Sequence, residues 1–338
     1  MKDPRVIFAG TPEFALASLS ALVDSGVVPV AVLTQPDRPA GRGKRVKASP
    51  VKRYAEEQRI PVMQPVTLRD NEVVAELQAL EPDIIIVAAY GLILPQNVLD
   101  IPSRGCLNVH ASVLPRWRGA APIQAAILAG DEMSGVSLMS MTAGLDCGPV
   151  FCAVKLAIAS DETASELHDR LAKLGGDVLA ANLDDILENR ITAVPQDESI
   201  ASYAKKIEKA DAQLDWSQSA DVLERRVRAY NPVPGAFFFV DDDVGGPLGP
   251  NRPLSRLKPL PQEAPLQDER LRVKVWRARY IPSIDAAPGK VVACGPDGVV
   301  VACASGGLSL LELQLPGKRR IDAREFAAQL DLNGRELR

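Results

Sequence analysis

Asn108 and His110 stand two residues apart at the end of an apolar run, CLNVH (residues 106–110), and His110 is one of only two histidines in the chain. On an extended strand alternate side chains leave on the same face, so an amide and an imidazole are presented together at the strand's carboxyl end. A histidine in apolar surroundings is more often a packed side chain than a working one, so its neighbours must decide. About 35 residues further on, GLDCG (144–148) sets Asp146 in a turn bracketed by glycines, where its carboxylate can approach the imidazole across the strand ends. An amide can stabilise an oxyanion, an imidazole can move a proton or stabilise charge, and a carboxylate can raise the imidazole's pKa. Asn108, His110 and Asp146 are therefore the candidate catalytic residues of an acyl transfer without a Ser or Cys nucleophile. Cys147 has no base of its own and is read as incidental. His168, the second histidine, reads as a solvated helix-face residue.

A second candidate site is electrostatic. The stretch QPDRPAGRGKRVKASPVKR (35–53) carries seven cations, Arg38, Arg42, Lys44, Arg45, Lys47, Lys52 and Arg53, against the single acid Asp37. The whole chain has a formal net charge of −4, so this is a local reversal of sign. A solvated loop would account for it, but its place after the second strand puts it on the face where an α/β active site belongs. That favours an arm engaging a phosphate backbone, with Arg38, Arg42, Lys44, Arg45 and Lys47 as the contacts. GTPEF (10–14) lacks the further glycines of a dinucleotide turn and the Gly-Lys of a P-loop. It reads as a tight strand-to-helix turn in which Thr11 caps, Pro12 takes the first helical position and Glu13 meets the helix dipole.

The elements that must position these residues follow from the apolar pattern. RVIFAG (5–10), VVPVAVLTQ (27–35), DIIIVAAYG (83–91), CLNVH and GVSLMSM (135–141) read as strands, the continuous ones covered on both faces. Helical stretches alternate with them, one from about residue 50 to 58, which argues a parallel α/β sheet with ligands beyond the strands' carboxyl ends. A long amphipathic helix runs from Thr163 to about Asn189. After a linker the character changes to short strands, GAFFFV, LRVKVWRARYI, GKVVACGPDGVVVACASG and LSLLELQL, with Gly/Pro/Asp turns, which suggests a small all-β barrel. Between its first two strands, residues 241–270 are rich in Pro, Gly and charge and read as a mobile loop. The expected division is 1–188, a 189–208 linker and 209–338.

With 46% hydrophobic and 24% charged residues over 338, the composition is that of a globular protein, large enough for two domains. Five cysteines (Cys106, Cys147, Cys152, Cys294, Cys303) lack metal-ligand spacing and read as free thiols in a reducing compartment. With no signal pattern and no membrane span in sequence, the expectation is a cytoplasmic protein without a metal.

The string NVHASVLPRWRGAAPIQ (108–124) resembles the signature of the folate-dependent formyltransferases, an Asn-x-His core followed by a Ser-Leu-Leu-Pro-like segment and a distant Asp. VIFAGTPEFA, TQPDRPAGRGK, SPVK, VAAYGLILP, GLDCG, LDW and RAYNPVPGAF extend the resemblance over nearly the whole chain, including the basic arm and the barrel region. The resemblance implies a Rossmann-like formyltransferase domain followed by an OB-like barrel that holds tRNA. It implies 10-formyltetrahydrofolate as formyl donor and the α-amino group of methionine on initiator tRNA as acceptor, reacting through a tetrahedral intermediate. Ser112, Val113, Leu114 and Pro115 would line the folate site, with Tyr90 and Gly91 beside the pterin. A monomer is expected. Ala111, Cys147 and Pro149 depart from the family's usual Gly, Thr and Asp, which leaves the geometry around Asp146 open. A formyltransferase or hydrolase acting on a small substrate, or a tRNA-binding module without catalysis, are the competing functions.

Overall fold

The computed structural model describes residues 4–40, 45–241, 270–296, 298–330 and 332–337. The chain forms two compact units, one of residues 1–126, 131–159 and 166–206, the other of 127–130, 160–165 and 207–338.

The first unit opens with β1 (Val6–Gly10), α1 (Glu13–Asp24), β2 (Ala31–Leu33), a small hairpin of β3 (Arg38–Ala40) and β4 (Arg45–Lys47), and α2 (Pro50–Glu57). It continues through β5 (Val62–Met63), α3 (Asn71–Ala79), β6 (Ile84–Ala88), α4 (Gln96–Leu99), β7 (Cys106–His110) and β8 (Arg118–Gly119). After α5 (Pro122–Ala129) come β9 (Met133–Ser140), β10 (Val150–Ala157), the long α6 (Ala164–Leu187) and β11 (Tyr203–Ala204). Seven strands make one sheet in the order β10-β9-β7-β6-β1-β2-β5. The strands β1, β6 and β7 are buried at every position, as continuous apolar runs require when both faces are covered. α6 lies so close to α1 that a Cβ on Gly176 would sit 2.7 Å from the Ala17 carbonyl.

Two expectations are corrected here. The sheet is parallel from β5 to β7, but β9 runs antiparallel to β7, and β10 antiparallel to β9. The 22 residues between β7 and β9 are long enough for a parallel crossover, but β9 enters the sheet from the carboxyl end of β7 and runs back along it, with Ser140 opposite Leu107. His110 consequently pairs with Ser137. Thr11 does not cap α1, whose N-cap is Pro12 without a side-chain bond. Its hydroxyl donates instead to the Tyr90 carbonyl at 3.0 Å and accepts from the Gln35 amide at 3.2 Å, tying three strand ends together.

The second unit contains α7 (Ala220–Ala229), β12 (Phe237–Asp241), β13 (Arg270–Ile281), β14 (Val291–Gly295), β15 (Gly298–Ala302), β16 (Gly307–Gln314), β17 (Ile321–Asp322) and α8 (Ala323–Gln329). Its antiparallel sheet, β12-β13-β16-β15-β14 with β17 on β16, curls through bulges in β13 and β14 into a half-barrel. Phe238, Leu308, Leu310, Leu313, Val299, Val301, Leu223 of α7 and Phe326 of α8 share its core. Most of the segment read as a mobile loop, 242–269, lies outside the described residues.

Candidate active site

The three residues singled out for acyl transfer meet at the carboxyl end of β7. Asn108 and His110 are 9% and 6% exposed. Asn108 Nδ2 lies 3.4 Å from Asp146 Oδ1, and His110 Nδ1 lies 3.8 Å from Asp146 Oδ2. The backbone amide of Gly119 donates to Asp146 Oδ2 at 2.9 Å, so the carboxylate is oriented from two sides. Its own backbone has φ +48°, a left-handed conformation that Asp tolerates better than most residues.

His110 is fixed from behind. Its Nε2 stands 3.0 Å from the Trp117 carbonyl, which can only accept, so Nε2 carries the proton and Nδ1 faces Asp146. Trp117, at φ +62°, is itself anchored: its amide donates to Ser202 Oγ at 3.0 Å and its indole to Asp131 at 2.7 Å. Arg116 stacks over the Trp117 ring at 4.3 Å and forks onto the same Asp131 carboxylate. Burial pushes the Asp131 carboxyl up, but the hydrogen bonds from Arg116 and Trp117 together hold it below the usual range.

Gly148 admits no side chain, because a Cβ there would fall 1.8 Å from the Ser140 carbonyl. That contact keeps the 144–148 turn against the end of β9. Ala111 is not among the residues with positive φ, so its methyl group is accommodated. Cys147 Sγ sits 3.5 Å from Thr142 Oγ1 in the exposed part of the turn. The Pro149 carbonyl accepts from Ser140.

The strand order reverses between β1 and β6, the switch point at which open α/β sheets bind ligands. A cleft of about 530 Å³ opens there, lined by Thr11, Pro12, Gln35, Ala89, Tyr90 and Gly91 and, from the arm and α2, by Arg38, Lys47, Ser49 and Arg53. Gly91, at φ +87°, contributes backbone to it. The Tyr90 ring instead packs in the core with Ile7, Ile85 and Leu94, and burial pushes its phenol well up. Among the described residues its hydroxyl has no hydrogen-bond partner, and it is the carbonyl that serves the cleft. Ser112 and Leu114 are buried. The Ser112 hydroxyl donates to the Arg116 carbonyl at 2.6 Å, and Ser137 Oγ bridges the Ser112 carbonyl and the Leu114 amide. The segment containing Val113 and the cis Leu114–Pro115 bond is thus clamped onto β9 beside His110.

Of the basic arm, Arg38 and Lys47 are exposed on the β3–β4 hairpin, while Arg42, Lys44 and the side chain of Arg45 lie outside the described residues. Lys52 works internally: it donates to Asp37 and to Gln64, each at 2.8 Å, and Gln64 returns to Asp37 at 2.7 Å. The bonds from Lys52 and then Gln64 lower the Asp37 pKa.

Sequence reasoning missed a polar network behind the site. Arg118, 1% exposed, forks onto Glu198 with two bonds of 2.8 Å and reaches Gln196 at 3.0 Å, and that pairing raises its pKa further. Arg118 falls inside the 108–124 string, but nothing in that string points to its partners, which are about 80 positions away. Among the described residues no cluster of three or more His, Cys, Asp and Glu is placed to hold a metal, and no helix is long and apolar enough to cross a membrane. His168 is partly exposed, with Nδ1 2.9 Å from Asp169 and its ring edge-on to Phe14.

Two family models match the chain, Formyl transferase over residues 4–183 and Formyl transferase, C-terminal domain, over 206–331. Methionyl-tRNA formyltransferase of Methylococcus capsulatus is 47% identical over 334 residues, 98% of this chain and 99% of its own. The protein of the same name from Burkholderia multivorans is 47% identical, covering 96% of this chain and 94% of its own. Among solved structures, the N-formyltransferase of Helicobacter canadensis, in complex with folinic acid and dTDP-3-aminofucose, superposes with a TM-score of 0.61 at 16% identity, over 91% of this chain and 99% of its own. HypX of Aquifex aeolicus, in complex with tetrahydrofolic acid, gives 0.57 at 18% identity over 96% of this chain and 47% of its own.

Proposed function

The chain belongs to the formyl transferase family, and from that premise we propose that it transfers the formyl group of 10-formyltetrahydrofolate to the α-amino group of methionyl initiator tRNA in the cytoplasm, acting as a monomer. The observation that carries this reading is the extent of the similarity: relatives named methionyl-tRNA formyltransferase match end to end, through arm and half-barrel alike.

The residues present fit a folate donor. The switch-point cleft is within the ordinary size of a small-molecule site, and a clamped loop, 112–115, adjoins His110. The donor supplies an already activated formyl group, so the protein has only to orient the amine and answer the charge that develops. Asn108 Nδ2 points into the site and is the donor for the developing oxyanion. His110, its Nε2 committed to Trp117, offers Nδ1 toward the reacting groups. Asp146, 3.8 Å from that nitrogen, takes part in removing the amine's proton. Arg38 and Lys47, with Arg42, Lys44 and Arg45 of the same arm, meet the acceptor-stem phosphates, and the half-barrel holds the body of the tRNA.

The test is single-turnover formylation of charged initiator tRNA with 10-formyltetrahydrofolate, with free methionine in a parallel tube. Formyl-methionyl-tRNA without formyl-methionine is the expected result. Equal transfer to free methionine would remove the RNA from the substrate. No transfer in either tube by folded protein would overturn the assignment.

A further inference from the structure

Gln196 lies two residues beyond Val194, which pairs with Val150 through two backbone bonds of 2.8 and 2.9 Å. Its amide nitrogen donates to the carbonyl of Asp146 at 2.9 Å and to that of Gly148 at 2.7 Å. Its amide oxygen accepts from Arg118 Nε. Both donors end on carbonyls and the acceptor faces a cation, so the amide has one orientation only. Arg118 is held in turn by Glu198 and by the Tyr203 hydroxyl at 3.3 Å.

The turn that Gln196 grips is held at Gly148 by the end of β9 and at the Asp146 carboxylate by Gly119, while its tip faces solvent. Leu145 is 62% exposed, and Asp146 sits in a backbone conformation disfavoured by about 1 kcal/mol. Gln196 takes up the two carbonyls on either side of Cys147 and so fixes where the Cα of Asp146 stands. A carboxylate displaced by about 1 Å is enough to cost on the order of 100-fold in rate.

We infer that Gln196 is a positioning residue for the transfer reaction, holding the Asp146 turn in its left-handed conformation through paired bonds to the carbonyls of Asp146 and Gly148. The inference rests on the reading of Asp146 as part of the formyl-transfer site.

Formylation by the full chain is measured for wild type, Gln196→Met, Gln196→Glu, Asp146→Asn and Asp146→Asn combined with Gln196→Met, with KM for both substrates and a melting curve for each. Met keeps the side chain's length without its donors; Glu turns a carboxylate toward two carbonyl oxygens. Gln196→Met is expected to lower kcat about 10- to 100-fold, with both KM values within about twofold. In the Asp146→Asn background the same change is expected to cost no more than about twofold, because the group it positions is already disabled. Gln196→Glu is expected to be at least as impaired as Gln196→Met. Should Gln196→Met keep wild-type kcat, or lose as much with Asn at 146 as with Asp, the inference falls. An inactive wild type would sink the formyl-transfer reading instead.

Discussion

The imidazole Nδ1 of His110 lies 3.8 Å from Asp146 Oδ2, beyond hydrogen-bond length and well within the range of charge coupling. The bond that orients the ring is elsewhere, at Nε2 on the Trp117 carbonyl. The bond that orients the ring and the carboxylate that faces it thus come from different partners, and can be removed separately.

Asn108→Ala is expected to lower kcat by ~10²–10³, as loss of an oxyanion donor does, and His110→Asn by ~10²–10⁴. Both should bind a stable folate analogue within a few-fold of wild type. Titration calorimetry beside single-turnover kinetics checks this, and a matching loss of folate affinity would argue against a transition-state role.

Gly148→Ala must move the 144–148 turn or β9, given the 1.8 Å approach to the Ser140 carbonyl. A loss of ~3 kcal/mol in urea unfolding is expected, together with loss of activity. Unchanged stability would mean that the turn has another place to sit.

Arg118→Met keeps volume but leaves the Gln196 oxygen without its cation. Glu198 is 68% exposed and rehydrates, so the full penalty of a broken buried pair does not apply. The expected cost is ~1–3 kcal/mol, that of one stranded polar group, by chemical denaturation.

Asp131 gives a pH signature. Its folded pKa lies below the usual 3.8, so its contribution is present above that value and is lost as pH falls through the folded pKa. The difference in melting temperature between wild type and Asp131→Asn should be constant from neutral pH down to about 5 and shrink below about 4. A difference that persisted into stronger acid would show that hydrogen bonding rather than charge holds Arg116 and Trp117.

Arg38→Ala and Lys47→Ala should each flatten the dependence of log K on log salt for tRNA binding by ~0.7–0.9, one released counterion apiece. Lys52→Ala, which removes an internal bond to Asp37, should act through the hairpin's stability instead. Fluorescence anisotropy across a salt series separates the two, and an unchanged slope for Arg38→Ala would take that residue off the phosphate path.

What was legible in the sequence was local. The apolar runs of β1, β6 and β7 announce buried strands, the i, i+2 spacing of Asn108 and His110 puts them on one face, and paired glycines mark the Asp146 turn. An apolar run carries no direction, so β9 read as one more parallel strand although it runs the other way. Thr11 has the residue type of a cap, but its oxygen accepts from the Gln35 amide rather than from the helix, while its O–H goes to the Tyr90 carbonyl. Gln196 and Ser202 are polar residues in unremarkable contexts, Arg118 lies in the 108–124 string without any mark of its partners, and only tertiary folding shows what they bind.

The bonds from Ser202 and Gln196 back to residues 115–118 and 146–148 have a consequence for how the site comes into being. Each closes a loop of about 48 to 87 residues. The sheet that carries Asn108 and His110 can pair as soon as β10 has been made. The oriented imidazole and the braced carboxylate must wait for the segment that follows α6. A nascent chain released before residue 196 would own every candidate catalytic side chain and still lack the geometry to use them, so competence arrives as a late folding event.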